Sequence, residues 1–144
     1  MFLPIEDEVE PAWFHYKWSD ILLHEKKHFA IEGFRESAKS SYVLRAFPLY
    51  RLTYPSKKAN YIVFIMANQT KASKQLKEIA ETYVSNEFLS LNLVKVKQQS
   101  EKAFECVVTD EKGEEICVRM EAYGKGSSIR GLLWGDKRPD IIVI

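Results

Sequence analysis

Apolar positions along this chain fall into three kinds of pattern, and each predicts a different element. From Trp13 to His24, Phe14, Trp18, Ile21 and Leu22 recur at helical spacing, which predicts a short amphipathic helix. His28–Glu32 is compatible with a strand, residues 33–38 read as a loop, and Lys39 opens a second helix carrying Val43, Leu44 and Phe47 on one side. Pro48 is expected to kink or end that helix, because it lacks an amide donor and clashes with the preceding turn. Tyr61–Met66 is continuously apolar and rich in β-formers, the pattern of a strand covered on both faces. Asn68-Gln69-Thr70 forms a cap region before a helix with Ala72, Leu76, Ile79, Ala80, Tyr83 and Val84 on one face. Beyond Asn86 the character changes to short strand-like runs, Leu91–Lys97, Ala103–Thr109 and Glu115–Tyr123, joined by turns. Asp140–Ile144 supplies a last buried-type strand.

Strand, loop, helix, strand, helix in this order predicts a right-handed βαβ unit and an α/β sandwich, with a small antiparallel β patch at one edge. If Ile141–Ile144 lies at an open sheet edge, it invites oligomerisation by dimer formation or swapping.

Composition narrows the function classes. The chain has 144 residues, enough for one domain with a core and fewer than a complete P-loop motor domain uses. A net charge of +1 gives no polyanion-binding signature, so any nucleic-acid contact has to come from local basic groups. The longest apolar run, Ile62–Ala67, is far below the roughly 20 residues of a membrane span. The first ten residues are acidic after Pro4 and lack the basic region of a signal peptide, so a reducing, cytoplasmic setting is expected. Cys106 and Cys117 flank the turn signal Asp110–Gly113 and would face each other across a two-residue hairpin loop. They are too few for a zinc site and read as small buried residues.

One stretch carries chemistry. Gly33-Phe34-Arg35-Glu36-Ser37-Ala38-Lys39-Ser40 matches the phosphate-binding loop pattern, with alanine in place of the second glycine. Such a loop wraps its backbone amides around a phosphate and adds the positive end of the following helix. Lys39 would reach the β- and γ-phosphates, and the Ser40 hydroxyl would bind Mg²⁺. At the other end of the chain, Lys137-Arg138-Pro139 and Asp140 precede the β-branched run Ile141–Ile144, which resembles a Walker B strand. Asp140 stands at the entry of that strand, whereas catalytic acids belong at its exit, so Asp140 is not the metal ligand.

Together these stretches resemble the N-terminal ATPase domain of viral terminase large subunits, the motors that thread DNA into a capsid. The resemblance rests on residues 28–41, on Ala67-Asn68-Gln69-Thr70 with its helix, and on Gly126-Ser127-Ser128-Ile129-Arg130-Gly131-Leu132 running into Arg138–Ile144. It implies a three-layer P-loop NTPase of the strand-inserted type, with a mostly parallel sheet that is incomplete at the C-terminus. Residues 1–144 would form one partial domain: an arm (1–12), an adenine-side helix (13–27) and a P-loop core (28–144) ending at the Walker B strand. The catalytic acids would follow Ile144, leaving this stretch with a phosphate cradle and no general base. The implied cofactors are ATP and Mg²⁺. The implied partners are double-stranded DNA, a portal and a small terminase subunit, in a bacterial host's cytoplasm and transiently at the procapsid. A nuclease domain would lie outside this chain.

The implied nucleotide site comprises Gly33, Phe34, Arg35, Glu36, Ser37, Ala38, Lys39, Ser40 and Ser41, with His15 near the adenine and Mg²⁺ on Ser40. Lys39 and Arg35 would act on the transferred phosphoryl group, and Arg130 would sense nucleotide state. Each has a plainer reading: Arg35 pairing with Glu32 or Glu36, Arg130 in a structural ion pair, Glu36 solvated in its loop. Trp13 and Trp18 are core or lid residues, one of which would stack on adenine. Lys57-Lys58 and Lys95–Lys97 are solvated faces or DNA-phosphate contacts. Two rival functions stay open: a helicase-like ATPase sharing both Walker elements, and a non-catalytic scaffold or regulatory fragment whose loop no longer binds nucleotide.

Overall fold

A computed structural model describes residues 11–24, 30–34, 39–127 and 131–144. The chain divides into two compact units, Met1–Tyr50 and Arg51–Ile144. In the first unit, helix α1 (Trp13–His24) buries Trp18 and Leu22 from the predicted stripe. A helical stretch then begins with α2 (Lys39–Ser41), passes through a π-helical turn (Tyr42–Ala46) and continues as α3 (Phe47–Thr53). Pro48 therefore sits inside a helix instead of ending it. A proline collides with the carbonyl four residues back, here that of Leu44. The wider turn just before it, closed by the Phe47 N–H on the Tyr42 carbonyl, relieves that collision. The strand expected at His28–Glu32 is not formed by its described part, since Ala30–Phe34 belong to no strand. Ile31 is the only large aliphatic residue there, too little apolar surface to demand a place in a sheet.

The second unit is an α/β fold built on one five-stranded mixed sheet, ordered β2-β3-β4-β1-β5. Its strands are β1 (Tyr61–Met66), β2 (Leu93–Gln99), β3 (Ala103–Thr109), β4 (Glu115–Gly124) and β5 (Ile141–Val143). β1 lies parallel to both β4 and β5, while β2, β3 and β4 form an antiparallel meander. The sheet is thus not mostly parallel, and among the described residues no clear three-layer arrangement is present. The cause is local: the turns after Gln99 and Thr109 are tight, and a tight turn can only reverse a chain, whereas parallel neighbours need a long crossover.

Helix α4 (Gln69–Ser85) supplies that crossover. The Asn68 side chain caps it by accepting from the Lys71 N–H at 2.9 Å. Ala72, Leu76, Ile79, Ala80 and Tyr83 are buried along one face, although Val84, expected with them, is 41% exposed. Beneath α4, alternation puts Phe64, Phe104, Met120 and Ala122 on one side of the sheet, all fully buried. Tyr61–Phe64 are buried on both faces, as their unbroken apolar run requires.

The other side of the sheet carries a polar network. Glu121, 4% exposed, accepts from the Tyr61 hydroxyl at 2.5 Å, the Tyr123 hydroxyl at 3.2 Å and Arg119 Nε at 2.9 Å. The same guanidinium donates to Glu105 at 3.0 Å and to Gln98 at 3.1 Å. Burial and then the hydrogen bond to the carboxylate hold the Tyr61 hydroxyl far above its ordinary pKa.

Two knots fix the ends of the sheet. At the carboxyl end, the Gln69 carboxamide donates to the Ala122 carbonyl at 3.0 Å and accepts from the Gly124 N–H at 3.0 Å. The approach is so close that a Cβ on Gly124 would lie 2.3 Å from the Gln69 nitrogen. At the amino end, the Asp140 carboxylate accepts from the N–H groups of Asn60 (3.2 Å) and Tyr61 (3.1 Å) and pairs with Lys137 at 2.7 Å.

Cys106 and Cys117 do not face each other. The hairpin loop runs from Asp110 to Glu114, so the register pairs Cys106 with Val118 and Val107 with Cys117, placing the thiols on opposite faces. Both are free, and burial pushes the Cys106 thiol up to about 12.

Gly124→Ala is expected to destabilise the second unit by about 1–3 kcal/mol, because backbone on both sides must shift; urea denaturation measures it. Arg119→Met should cost about 3–5 kcal/mol in the same assay by leaving the buried Glu121 carboxylate without its cation. Removing Glu105 as well should return part of that loss, since Glu105, 14% exposed, shares the same guanidinium and would otherwise repel Glu121.

Candidate functional site

The first unit contains a cleft of about 820 Å³ that is open to solvent over much of its extent. One wall is a face of α1. Trp13, Lys17 and Ile21 follow one another at four-residue spacing, with Phe14 and Trp18 beside them. The opposite wall is Ala30–Phe34, and Lys39 enters from the head of α2. Phe34 closes on Phe14 edge-to-face at 5.6 Å, and Phe14 in turn meets Trp18 at 5.1 Å. These rings supply the apolar part of a lining that is nearly half polar, and the charged side chains lining the cleft are Lys17, Lys39 and Glu32. Among the described residues, none of these three has an ion-pair partner. The cleft thus offers aromatic surface together with uncommitted positive charge.

The structure brings together some of the predicted site residues. Gly33, Phe34 and Lys39 share the cleft with the helix assigned to the adenine side. Ser40 and Ser41 follow Lys39 in α2 and are exposed. Arg35, Glu36, Ser37 and Ala38, the middle of the loop, lie outside the described residues, and so does Arg130. His15 does not line the cleft. Its Nδ1 accepts from the Ala12 N–H at 2.9 Å, at the start of α1, and its ring stacks on buried Tyr42 at 4.6 Å and 11°. Those contacts tie α1 to the π-helical turn. Burial in this cluster raises the Tyr42 hydroxyl above its ordinary pKa.

Comparison with protein-family models, with curated proteins and with solved structures finds no match to this chain.

Lys17 and Glu32 are the charged cleft residues that the sequence reading did not assign to the site. Lys17 is exposed on α1 with Trp13, Phe14, Asp20 and Ile21 one turn away, so spacing in the sequence did not single it out.

Among the described residues, no cluster of three or more His, Cys, Asp or Glu side chains is placed to hold a metal ion. A nucleotide-borne Mg²⁺ needs no such cage, because phosphates and water supply most of its ligands. No described helix is long and apolar enough to cross a membrane. Asp140, already engaged by two backbone amides and Lys137, has its carboxylate committed to holding β1 and β5 together. Lys57 of the Lys57-Lys58 pair contacts Glu114, whereas Lys95 and Lys97 stand exposed on β2.

His15→Ala removes a backbone acceptor and a stacked ring pair, and is expected to destabilise the first unit by about 1–2 kcal/mol. The loss should appear in the thermal unfolding of helical circular dichroism, and His15→Phe should recover only the stacking share.

Proposed function

We propose that the chain binds Mg·ATP in this cleft, as a P-loop NTPase of the strand-inserted type. The observation that carries the reading is the cleft itself. An aromatic wall on α1, the first residues of the Gly33–Ser40 loop pattern and the Lys39 ammonium all face one space of nucleotide size. A purine stacks on aromatic rings, and a triphosphate requires fixed positive charge, so this pairing of surfaces suits a nucleotide better than a neutral apolar ligand.

In this reading Lys39 holds the β- and γ-phosphates, and the Ser40 hydroxyl donates one oxygen ligand to Mg²⁺. When bound, the metal would draw charge off the phosphate oxygens. Gly33, Ser41 and the loop residues Arg35, Glu36, Ser37 and Ala38 complete the cradle, with Arg35 supplying a further cation to the γ-phosphate. The order of the loop pattern, the capped α4 and the Ser127–Arg130 segment supports a DNA-packaging motor of the terminase large-subunit kind. Double-stranded DNA, a portal and a small terminase subunit would then be its partners.

One observation favours a second reading, a scaffold whose loop no longer takes nucleotide. A phosphate loop is ordinarily delivered by a strand, and Ala30–Phe34 are not in one.

The two readings part in a thermal-shift measurement with Mg·ATP on the wild-type chain and on Lys39→Ala. Nucleotide at a hundred times its dissociation constant stabilises by about 2.7 kcal/mol. In a chain of this length that raises the melting temperature by about 5–10 °C. The expected outcome is that rise in the wild type and its loss in Lys39→Ala. No rise in either protein would favour the scaffold.

A further inference from the structure

We propose that Lys17 is a second phosphate-reading residue, taking the first phosphate of the bound nucleotide while Lys39 takes the outer ones. This inference rests on the nucleotide reading of the cleft and adds a division of labour to it. Lys17 lies outside the loop pattern, on the opposite wall, and it lines the same space as Lys39.

Three features of its placement support the role. It stands at four-residue spacing between Trp13 and Ile21, with its side chain exposed where the cleft is lined. Its ammonium has no acidic partner among the described residues, so its charge is not used to hold the unit together. It also sits one helical turn beyond Trp13, about 6 Å along the axis. That is close to the separation between a purine ring and the first phosphate of its nucleotide. A base laid on Trp13 and Phe14 therefore extends its phosphates past Lys17 toward Lys39. Glu32, on the facing wall, makes the spacing matter, because its negative charge disfavours a phosphate that strays from the two lysines.

The test is a calorimetric titration of the full chain, without metal, against adenosine, AMP, ADP and ATP. In the wild type, affinity should step up between adenosine and AMP and again at ADP. Lys17→Met should erase the first step, weakening AMP, ADP and ATP each by about tenfold, with adenosine changed by less than about twofold. Lys17→Arg should restore the step. Lys39→Ala should keep the first step and lose the later gain. The proposal is overturned if Lys17→Met keeps the adenosine-to-AMP step, or if it weakens adenosine as much as AMP, the mark of a packing role. A wild type that binds ATP through Lys39 but is indifferent to Lys17 removes this inference alone. A wild type that binds none of the four ligands, and no ATP when Mg²⁺ is added, removes the nucleotide reading and this inference with it.

Discussion

The second unit depends on an absent Cβ. Gly124 ends β4 directly against the first turn of α4, close enough that any side chain would enter the backbone at Asn68 and Gln69. Because the gap is closed, the Gln69 carboxamide can serve β4 as a further strand would, donating to one backbone carbonyl and accepting from the next free N–H. Lys125 N–H then reaches the Met66 carbonyl at 2.7 Å, joining the exits of β1 and β4. These bonds fix where α4 starts, and an amphipathic helix with a fixed start has only one way to lay Leu76, Ile79 and Tyr83 over Phe104 and Met120. The register of the parallel pair and the packing of the core follow from one contact.

The amino ends of the strands are held by charge instead of by close approach. Asp140 spends its carboxylate on the entry of β1, and Lys137 bridges Asp140, the Lys57 carbonyl and the Asn60 side chain. The short hairpin at Trp134–Lys137, turned by Gly135 at a φ of 59°, brings Lys137 into place. A strand of only three residues would otherwise contribute little, and these bonds explain why β5 is ordered at all. They also explain an acid at the entry of an apolar strand without calling on chemistry: Asp140 is part of the scaffold.

How much of this was legible depended on whether a residue's neighbours in sequence are also its neighbours in space. Tyr61–Met66, the cap at Asn68 and the buried face of α4 were readable because period and capping are local. Pro48 was read only in part: it does not end the helix, because a π-helical turn relieves its collision, and nothing in Tyr42–Ala46 announces that turn. The mostly parallel sheet was over-read from a motif. The tight turns on either side of β3 were visible in the sequence, and they already forced the antiparallel meander. The pairing of Arg119 with both Glu105 and Glu121 was not readable, since register across two strands decides it. Gly33, Phe34 and Lys39, which line the cleft, were singled out in the sequence because they belong to one local pattern. Lys17 was missed because its relation to them exists only when α1 stands opposite the loop.

That difference bears on what kind of site the cleft is. A phosphate cradle gains precision when both of its arms are rigid. Here the arm after the loop is firm: Tyr42, Ala46, Phe47 and Leu49 are buried along the helical stretch that Lys39 begins. The arm before it, Ala30–Phe34, is not fixed by a strand ladder. A site with one firm arm relies less on a ring of backbone amides and more on side-chain cations and stacking surface. The cleft is lined in that way: Lys17 and Lys39 have no ion-pair partner among the described residues, and Phe14 meets both Trp13 and Phe34 edge-to-face. Lysines of this sort are exposed point charges on flexible stems, and salt screens exposed charges strongly. In the proposed nucleotide reading, recognition would be distributed over α1, the loop's first residues and Lys39, and the nucleotide itself would complete the enclosure that a strand-fed loop has before binding.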